Sequence, residues 1–534
     1  MASAVRGVPL FHISPSKSYP AKTHILDLPV EVFVLILNLL WREDLLRCAT
    51  VCSKWRDLAL DVRWKEHSVG WDDLLRILGP LQSRRDEGGE YHLITRHLSV
   101  KDAIASVGWR RLDDLRKKIT LLRIKTYLRA DDIDYLENIH RALGPPHQAF
   151  FPKLRELVVC FQGSQPYEYD FLAGESLRCF RLDQIRSTRD RPEGDSRGIL
   201  KTLATRSPMV EHIQVWSSDS PFINYGRFSN LRTLYHSGDF SVASWINLCT
   251  DCLLLEDVTL QKLQENLVDR ETIALGPQLH QFPPLQILDI ESIENKVLNS
   301  YILRTTNMPQ LTELKVDTRQ LISAEADGLI SLLGSRSPFL TTLQVYGYKL
   351  EWAAFASFSR LRDLELRGRI RSWKAEHVER IVASLPDLDR LSIMSEEELD
   401  LDRTKPAFTL ATLEKIAMRS RLSVLDIPLN ALKIPWTSYP PSVTAKFGIL
   451  VELGLEPVHI EPSAIEPFAK YLAQLCPKVE DFDALVLHPD PVEEAMEFPS
   501  DRTKEERTNK RVIETLFFDI RKEYEVSGSV PEGT

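Results

Sequence analysis

The chain has 534 residues, about three times the usual length of one globular domain, so its length argues against a single compact core. Its 67 Lys and Arg residues against 76 Asp and Glu residues give a formal charge of −9, which argues against a nucleic-acid-binding protein. Hydrophobic residues make up 43% and charged residues 27%, a composition that excludes a disordered chain. The seven cysteines are too few for a disulfide scaffold and predict reduced thiols.

The amino-terminal region has no apolar segment long enough for a secretory signal. The longest nearly unbroken apolar run, residues 32–41, is far shorter than a membrane span. These features predict a soluble cytoplasmic or nuclear protein without a membrane partner. The 31 prolines outnumber the 22 glycines, which disfavours chemistry built on a glycine-rich phosphate loop.

Residues 1–23 mix Ser, Pro and Lys without a period and predict a flexible segment. Residues 24–68 predict three helices. Pro29 suits the first turn of a helix because its missing N–H would be unpaired there, Asp44 places negative charge in the first turn of the second helix, and Ser53 is a candidate N-cap for the third. A unit of about 45 residues buries little apolar surface, so part of it is expected to face a partner or a neighbouring domain.

The key residues of this segment follow in the order Leu28-Pro29-x-Glu31-Val32-x-x-x-Ile36-Leu37-x-x-Leu40, then Asp44-Leu45-Leu46-Arg47-x-x-x-Val51-Cys52-x-x-Trp55-Arg56. The segment closely resembles the F-box motif. The resemblance implies docking on the small adaptor subunit of an SCF-type ubiquitin ligase, and through it on a cullin. The positions that it assigns to adaptor binding are Leu28, Pro29, Ile36, Leu37, Leu40, Leu45, Leu46, Val51 and Trp55. About half of them, above all Ile36, Leu46 and Trp55, are equally explained as core of the three helices.

Beyond residue 90 one pattern recurs: an apolar residue, two others, an apolar residue, one other and an apolar residue. Clear copies start at Leu154, Leu177, Val210, Leu255, Leu285, Leu311, Leu340, Leu361 and Leu388, and weaker ones at Ile119, Leu231, Leu413 and Val479. The mean spacing is about 26 residues, within the range of leucine-rich repeats. Proline stands just before several copies, where it ends a helix, and amphipathic helices are predicted over 324–333, 376–385 and 465–475.

Strand, loop and helix at this period predict a right-handed solenoid with a parallel sheet. The arrangement resembles leucine-rich-repeat F-box proteins, particularly the divergent fungal ones. No copy has Asn or Cys eight residues after its leading position, so an irregular horseshoe is expected. The predicted fold class is α/β, a small three-helix F-box followed by an irregular leucine-rich-repeat solenoid with the parallel sheet on the concave face and helices on the convex face. The predicted segments are 1–23 flexible, 24–68 F-box, 69–90 linker helix and loop, 91–487 solenoid, and 488–534 charged segment and mobile tail.

Strand alternation places the residues between the apolar positions on the exposed concave face. In the central copies this set holds seven acids against two bases. We therefore predict that this face binds a basic segment of a target protein, with Trp216 and Tyr235 as aromatic anchors. The other predicted binding residues are Asp289, Glu291, Glu313, Asp317, Tyr346, Asp363 and Glu365. The alternative is that these are ordinary solubilising residues.

No sequence motif for catalysis stands out. Cys249 and Cys252 form a CxxC without a second pair or a nearby His, which favours packing over zinc or redox chemistry. We predict a protein that is not an enzyme and needs no cofactor or metal. The predicted function is substrate recognition for an SCF-type ubiquitin ligase, with an interaction scaffold that uses the adaptor outside any ligase as the alternative.

Overall fold

The computed structural model contains an amino-terminal helical unit and a long array of strands and helices. It describes residues 28–66, 69–70, 74, 77, 81–85, 91–95, 99–124, 130–143, 149–161, 170–184, 196–216, 224–238, 240–261, 280–282, 284–291, 296–319, 321, 323–347, 352–368, 375–395, 408–419, 421–430, 445–459, 464–487 and 512–522.

The amino-terminal unit consists of helices α1 (Val30–Asn38), α2 (Arg42–Cys48) and α3 (Ser53–Glu66). The first helix begins after Pro29, whose carbonyl oxygen accepts a hydrogen bond from the Phe33 N–H at 3.1 Å. Phe33 then packs on Trp55 of α3, with ring centroids 4.7 Å apart. The buried core of the three helices is small and comprises Phe33, Leu37, Leu45, Ala49, Ala59 and Val62.

The rest of the chain is dominated by short strands. They are β1 (Val69–Gly70), β2 (Leu81–Arg85), β3 (Tyr91–Thr95), β4 (Leu121–Ile124), β5 (Glu156–Phe161), β6 (Cys179–Gln184), β7 (His212–Trp216), β8 (Thr233–Ser237), β9 (Asp257–Gln261), β10 (His280–Gln281), β11 (Ile287–Glu291), β12 (Thr306–Asn307), β13 (Glu313–Asp317), β14 (Thr342–Tyr346), β15 (Asp363–Gly368), β16 (Arg390–Ser395), β17 (Val424–Asp426), β18 (Leu429–Asn430), β19 (Glu452–His459) and β20 (Asp481–Leu487). Sixteen of these described strands form one parallel sheet in the order β1-β4-β5-β6-β7-β8-β9-β11-β13-β14-β15-β16-β17-β19-β18, with β20 also paired to β19.

The parallel register aligns one apolar residue of each strand with its counterpart in the next. This buried row runs through Leu122, Leu157, Phe180, Ile213, Leu234, Val258, Leu288, Leu314, Leu343, Leu364, Leu391, Leu425, Leu453 and Phe482. No single repeat can bury its own apolar face, so stacking builds one continuous core. The structure therefore confirms the predicted solenoid.

Helices cover the apolar face of the sheet. They are α4 (Val100–Ala105), α5 (Val107–Arg116), α6 (Ala130–Leu143), α7 (Ser196–Arg206), α8 (Val242–Asp251), α9 (Lys296–Thr305), α10 (Ser323–Arg336), α11 (Ala375–Ser384), α12 (Leu410–Arg419) and α13 (Ile465–Leu475). Each turns its apolar stripe inward, and the helices predicted over 324–333, 376–385 and 465–475 are confirmed as α10, α11 and α13. In some repeats a 3-10 helix of three or four residues stands in place of the α-helix, which makes the array irregular.

Prolines stand in tight turns just before several strands. The Ser207 carbonyl oxygen accepts from the Val210 N–H across Pro208, and the Ser337 carbonyl oxygen accepts from the Leu340 N–H across Pro338, both at 3.2 Å. Proline suits the second position of such a turn because its φ is already fixed near the required value. The excess of proline over glycine therefore belongs in part to these turns.

The helical unit and the solenoid share their packing. Trp64, near the end of α3, is buried in the solenoid core, and Leu60 contacts both cores. The predicted linker of helix and loop over 69–90 is wrong in part, because β1 joins the large sheet beside β4 and β2 pairs with β3 in an antiparallel hairpin. Residues 86–90 lie outside the described residues.

Two other predictions need correction. The copy predicted to start at Leu413 lies inside helix α12, and the strands of that region are β17 and β19. The carboxy-terminal segment predicted over 488–534 contains a helix, residues 512–522, whose Phe517 stacks on Phe482 with centroids 4.7 Å apart. This helix covers the last apolar strand, as the end of a solenoid requires. Residues 1–23, 488–511 and 523–534 lie outside the described residues.

Candidate protein-interaction surfaces

Helix α1 is apolar on nearly every side, and only one of its stripes is covered. In its sequence, VEVFVLILN, Phe33 and Leu37 are buried in the core and Val34 is half-buried against it, while the other apolar side chains are exposed. The adjoining residues Leu39 and Trp41 are 84% and 82% exposed. We define the α1 surface as the exposed apolar residues Val30, Val32, Leu35, Ile36, Leu39, Trp41 and Val51. An exposed apolar patch of this kind marks an interaction site.

The predicted adaptor contacts divide between this surface and the core. Pro29, Ile36 and Val51 are exposed, whereas Leu28, Leu40 and Trp55 are half-buried.

Two of the predicted contacts are instead core residues. Leu37 and Leu45 are 1% and 0% exposed, so the prediction that they face a partner is wrong for the structure of the free chain. The side chain of Leu46 lies outside the described residues. The prediction did not include Leu35, Leu39 and Trp41, although the excess of apolar residues from Val30 to Trp41 over what one buried stripe needs carried the signal.

The second surface is the face of the large sheet opposite the helices, which we call the open face. It is formed by the first, third and fifth residues of the strands, which alternate with the buried positions, as in the pattern of β9. From β9 to β20 the first and third positions hold nine carboxylates, all half-buried or exposed. We call them the acidic rows: Asp257, Asp289, Glu313, Asp363, Glu365, Asp426, Glu452, Asp481 and Asp483.

Asp289 is the most perturbed of these carboxylates. Its pKa is raised to about 6, mainly by burial; Lys315 opposes the shift, whereas Glu313 and Asp257 add to it. The Lys315 Nζ lies 3.8 Å from the Asp289 Oδ2. Ionisation of Asp289 is therefore unfavourable in the folded chain, and a cationic group of a ligand would stabilise the ionised carboxylate.

The same cause acts along the acidic rows. Burial raises the pKa of Asp257, with a further contribution from Glu313. Burial also raises the pKa of Asp363 and of Asp426, to which Glu365 adds repulsion while Arg390 opposes it. These mutual effects couple carboxylates of β9, β11, β13, β15, β17 and β19 across the open face.

Cations are also present on this face. The Arg367 guanidinium pairs with the Glu365 carboxylate on the same strand. The Tyr346 ring lies between the Arg367 Cζ at 5.3 Å and the Lys315 Nζ at 5.7 Å from its centroid. Tyr346, predicted to bind the target, is thus already in contact with two cations of the chain itself.

Two of the predicted acidic contacts do not form part of the described surface. Asp317 is only 4% exposed, and its carboxylate accepts hydrogen bonds from the Arg319 Nε at 3.0 Å, so its predicted exposure is wrong. The side chain of Glu291 lies outside the described residues.

Trp216 and Tyr235 meet at the other end of the open face. They stand on β7 and β8, and their ring centroids are 4.5 Å apart. Trp216 is 36% exposed, while Tyr235 is partly covered and donates its hydroxyl hydrogen to the Gln261 side chain. Burial raises the pKa of Tyr235 to about 12, with Asp289 adding to the effect, so its hydroxyl stays neutral. Their strand positions place both residues on the open face, and their role as anchors for a target stays a prediction.

The cysteines are free thiols in the structure. Burial raises the pKa of Cys249 and of Cys252 well above the ordinary range, which makes both thiols poor nucleophiles and poor metal ligands. Among the described residues there is no group of three or more His, Cys, Asp and Glu side chains suited to hold a metal ion. Within the same ranges no helix has both the length and the apolar character to cross a bilayer.

Comparison with known proteins bears on the helical unit. Residues 25–69 match the F-box-like family model. No curated protein matches the chain by sequence. A solved structure similar to the chain is the crystal structure of a TLR13–ssRNA13 complex, with a TM-score of 0.37 and 12% identity over 65% of this chain and 48% of that one. The chain thus spans about half the length of that protein.

The fold and its surfaces define a protein with an F-box-like domain and a solenoid built on one long parallel sheet. Its two candidate surfaces, one apolar and one acidic, are suited to contacts with other proteins.

Proposed function

We propose that the chain is a substrate-recognition subunit of an SCF-type, cullin-RING ubiquitin ligase. The observation that carries the proposal is the α1 surface, an uncovered apolar face on the domain that matches the F-box-like family. Burying several large apolar side chains, with Trp41 among them, supplies the free energy that stable docking on an adaptor needs. The fungal-type leucine-rich-repeat identity remains a prediction from sequence.

In this proposal the chain has no catalysis of its own. It acts by proximity, because a target on the solenoid and a conjugating enzyme on the ligase are held within one complex. The packing of Trp64 and Leu60 supports the mechanism, since it fixes the α1 surface relative to the solenoid.

Copurification tests the proposal with a matched pair of variants. The tagged full chain is expressed as wild type, as Leu35→Glu/Leu39→Glu, and as Leu253→Glu/Leu254→Glu. The last pair is exposed and apolar like the first but lies on the solenoid before β9. We expect the adaptor and a cullin with the wild type and with the solenoid control, and neither with the α1 variant.

The other outcomes are decisive as well. Recovery of the adaptor without any cullin would favour the interaction scaffold that uses the adaptor outside a ligase. Equal recovery of the adaptor with the α1 variant would overturn the assignment of the docking surface.

A further inference from the structure

We propose that the open face between β7 and β20 binds an extended basic segment of the target, with one Arg or Lys side chain of that segment lying on the Trp216–Tyr235 pair. The inference rests on the proposed function, since it names the chemistry of the target. It makes no use of the α1 surface, so the two proposals can fail separately.

Charge is the first argument. The acidic rows hold nine carboxylates, whereas the cations on the same stretch are Lys315, Arg367 and Arg390. Two of these already contact an acid of the face, Lys315 with Asp289 and Arg367 with Glu365. A basic ligand therefore meets a surface with a large negative excess, which favours its approach and disfavours acidic competitors.

The second argument is that ionisation of several carboxylates in the acidic rows is unfavourable in the unbound chain. The raised pKa values of Asp257, Asp289, Asp363 and Asp426 share a cause, burial beside other carboxylates. Such an arrangement lowers the stability of the folded chain, because like charges on one face repel each other. A bound cation supplies the missing favourable interaction, so these acids fit a binding role better than a solubilising one.

The length of the surface defines the ligand further. Eleven strands of the sheet, from β7 to β20, stand side by side at roughly 4.8 Å each, so the face is about 48 Å long. An extended chain of about 14 residues covers that distance. The successive carboxylates suit a segment in which basic residues recur, since alternate side chains of an extended chain point to one side.

The aromatic pair supplies a distinct anchor. Trp216 is exposed enough to receive a ligand, and the Tyr235 ring holds it in place at a centroid distance of 4.5 Å. A guanidinium or ammonium group over an exposed indole ring is stabilised by a cation–π interaction. The contacts of Lys315 and Arg367 with Tyr346 show that this face already accommodates such geometry.

Fluorescence anisotropy with defined peptides tests the inference on the full-length chain. The probes are labelled 14-residue peptides that alternate Arg with Ser, Lys with Ser, and Glu with Ser. The face variant is Asp289→Asn/Glu313→Gln/Glu365→Gln. The control is Glu175→Gln/Glu325→Gln/Glu466→Gln, which removes the same charge from exposed residues away from the open face. Melting curves establish that both variants are folded.

We expect the two basic peptides to bind the wild type, more weakly at 300 mM than at 50 mM salt, and the acidic peptide not to bind. The face variant should bind at least about tenfold more weakly, and the control variant within about twofold of wild type. Trp216→Ala should weaken the Arg peptide about fivefold without changing the salt dependence.

Three results would overturn the inference. One is that neither basic peptide binds the wild type, and another is that the control variant loses as much affinity as the face variant. The third is that Trp216→Ala binds the Arg peptide as tightly as wild type, which would remove the aromatic anchor. None of these measurements involves the adaptor, so copurification of adaptor and cullin remains an independent result.

Discussion

The Lys118 ammonium contacts the Asp61 carboxylate across the junction between the F-box-like domain and the solenoid. Asp61 lies on α3, and Lys118 lies just before β4, so the ion pair joins the two parts of the chain. Both side chains are partly exposed, and such a pair contributes at most about 1 kcal/mol. The apolar contacts beside it therefore carry most of the stability of the junction, and Trp64 is the largest of them.

Trp64→Ala should lower the free energy of unfolding of the whole chain by about 3 kcal/mol or more, because it removes a buried indole shared with the solenoid core. Trp41→Ala is the matched control, since Trp41 is exposed, and its effect should stay within about 0.5 kcal/mol. Denaturant unfolding followed by circular dichroism measures both. Equal effects of the two variants would contradict the packing at the junction.

Asp289→Asn should stabilise the chain near neutral pH. The pKa of the Asp289 carboxyl is about 6 in the folded chain, above its value in the unfolded chain. The free energy of unfolding is therefore higher at low pH, and this contribution is lost as the pH rises through about 6. At pH 7.5 the amide therefore removes a penalty of about 3 kcal/mol, and at pH 4 the gain should nearly vanish. Unfolding curves at both pH values check this, with Asp481→Asn, an exposed position, as the control. A gain independent of pH would show that burial of the charge is not the cause.

Gly368→Ala should destabilise the chain strongly. Gly368 has a φ of 154°, and a Cβ there would lie 1.6 Å from the carbonyl oxygen of Gly347. The end of β15 would have to move away from Gly347, at a cost of about 3 kcal/mol or more. Gly328→Ala in helix α10 meets no atom within 4 Å and should stabilise by about 0.5–1 kcal/mol. Thermal melting compares the two, and a mild effect at Gly368 would refute the close approach.

The CxxC of Cys249 and Cys252 should be inert in the folded chain. Both thiols are buried with raised pKa values, so a thiol reagent at pH 7.5 should label them only after denaturation. The zinc content of the purified protein should be far below one ion per chain and unchanged in Cys249→Ser/Cys252→Ser. Stoichiometric zinc that the double variant loses would contradict this interpretation.

Much of the fold follows from the spacing of apolar residues. Twelve of the thirteen predicted copies are strands of the sheet, because an apolar residue at every second position suits a strand covered on one side. The copy at Leu413 failed because its first two apolar positions, three residues apart, also match one face of a helix. In α12, Leu413 and Ile416 are buried, whereas Met418, the third position, is exposed.

The surfaces were less predictable than the fold. Seven of the nine residues of α1 are apolar, so the sequence alone did not show which stripe, here Phe33 and Leu37, would pack against the other helices. Because the strand of this repeat was predicted at Leu413 instead of at β17, the prediction did not include Asp426 and Glu452. These two residues extend the acidic rows beyond the predicted set. Asp317 was misplaced because its partner Arg319, two residues later, folds back on it.

The affinity of the purified full-length chain for the purified adaptor subunit tests the central claim most directly. Titration calorimetry should give tight binding for the wild type and for Leu253→Glu/Leu254→Glu, and a loss of at least about a hundredfold for Leu35→Glu/Leu39→Glu. Absence of binding by the wild type, or unchanged affinity of the α1 variant, would contradict the account of this chain as an adaptor-docked receptor.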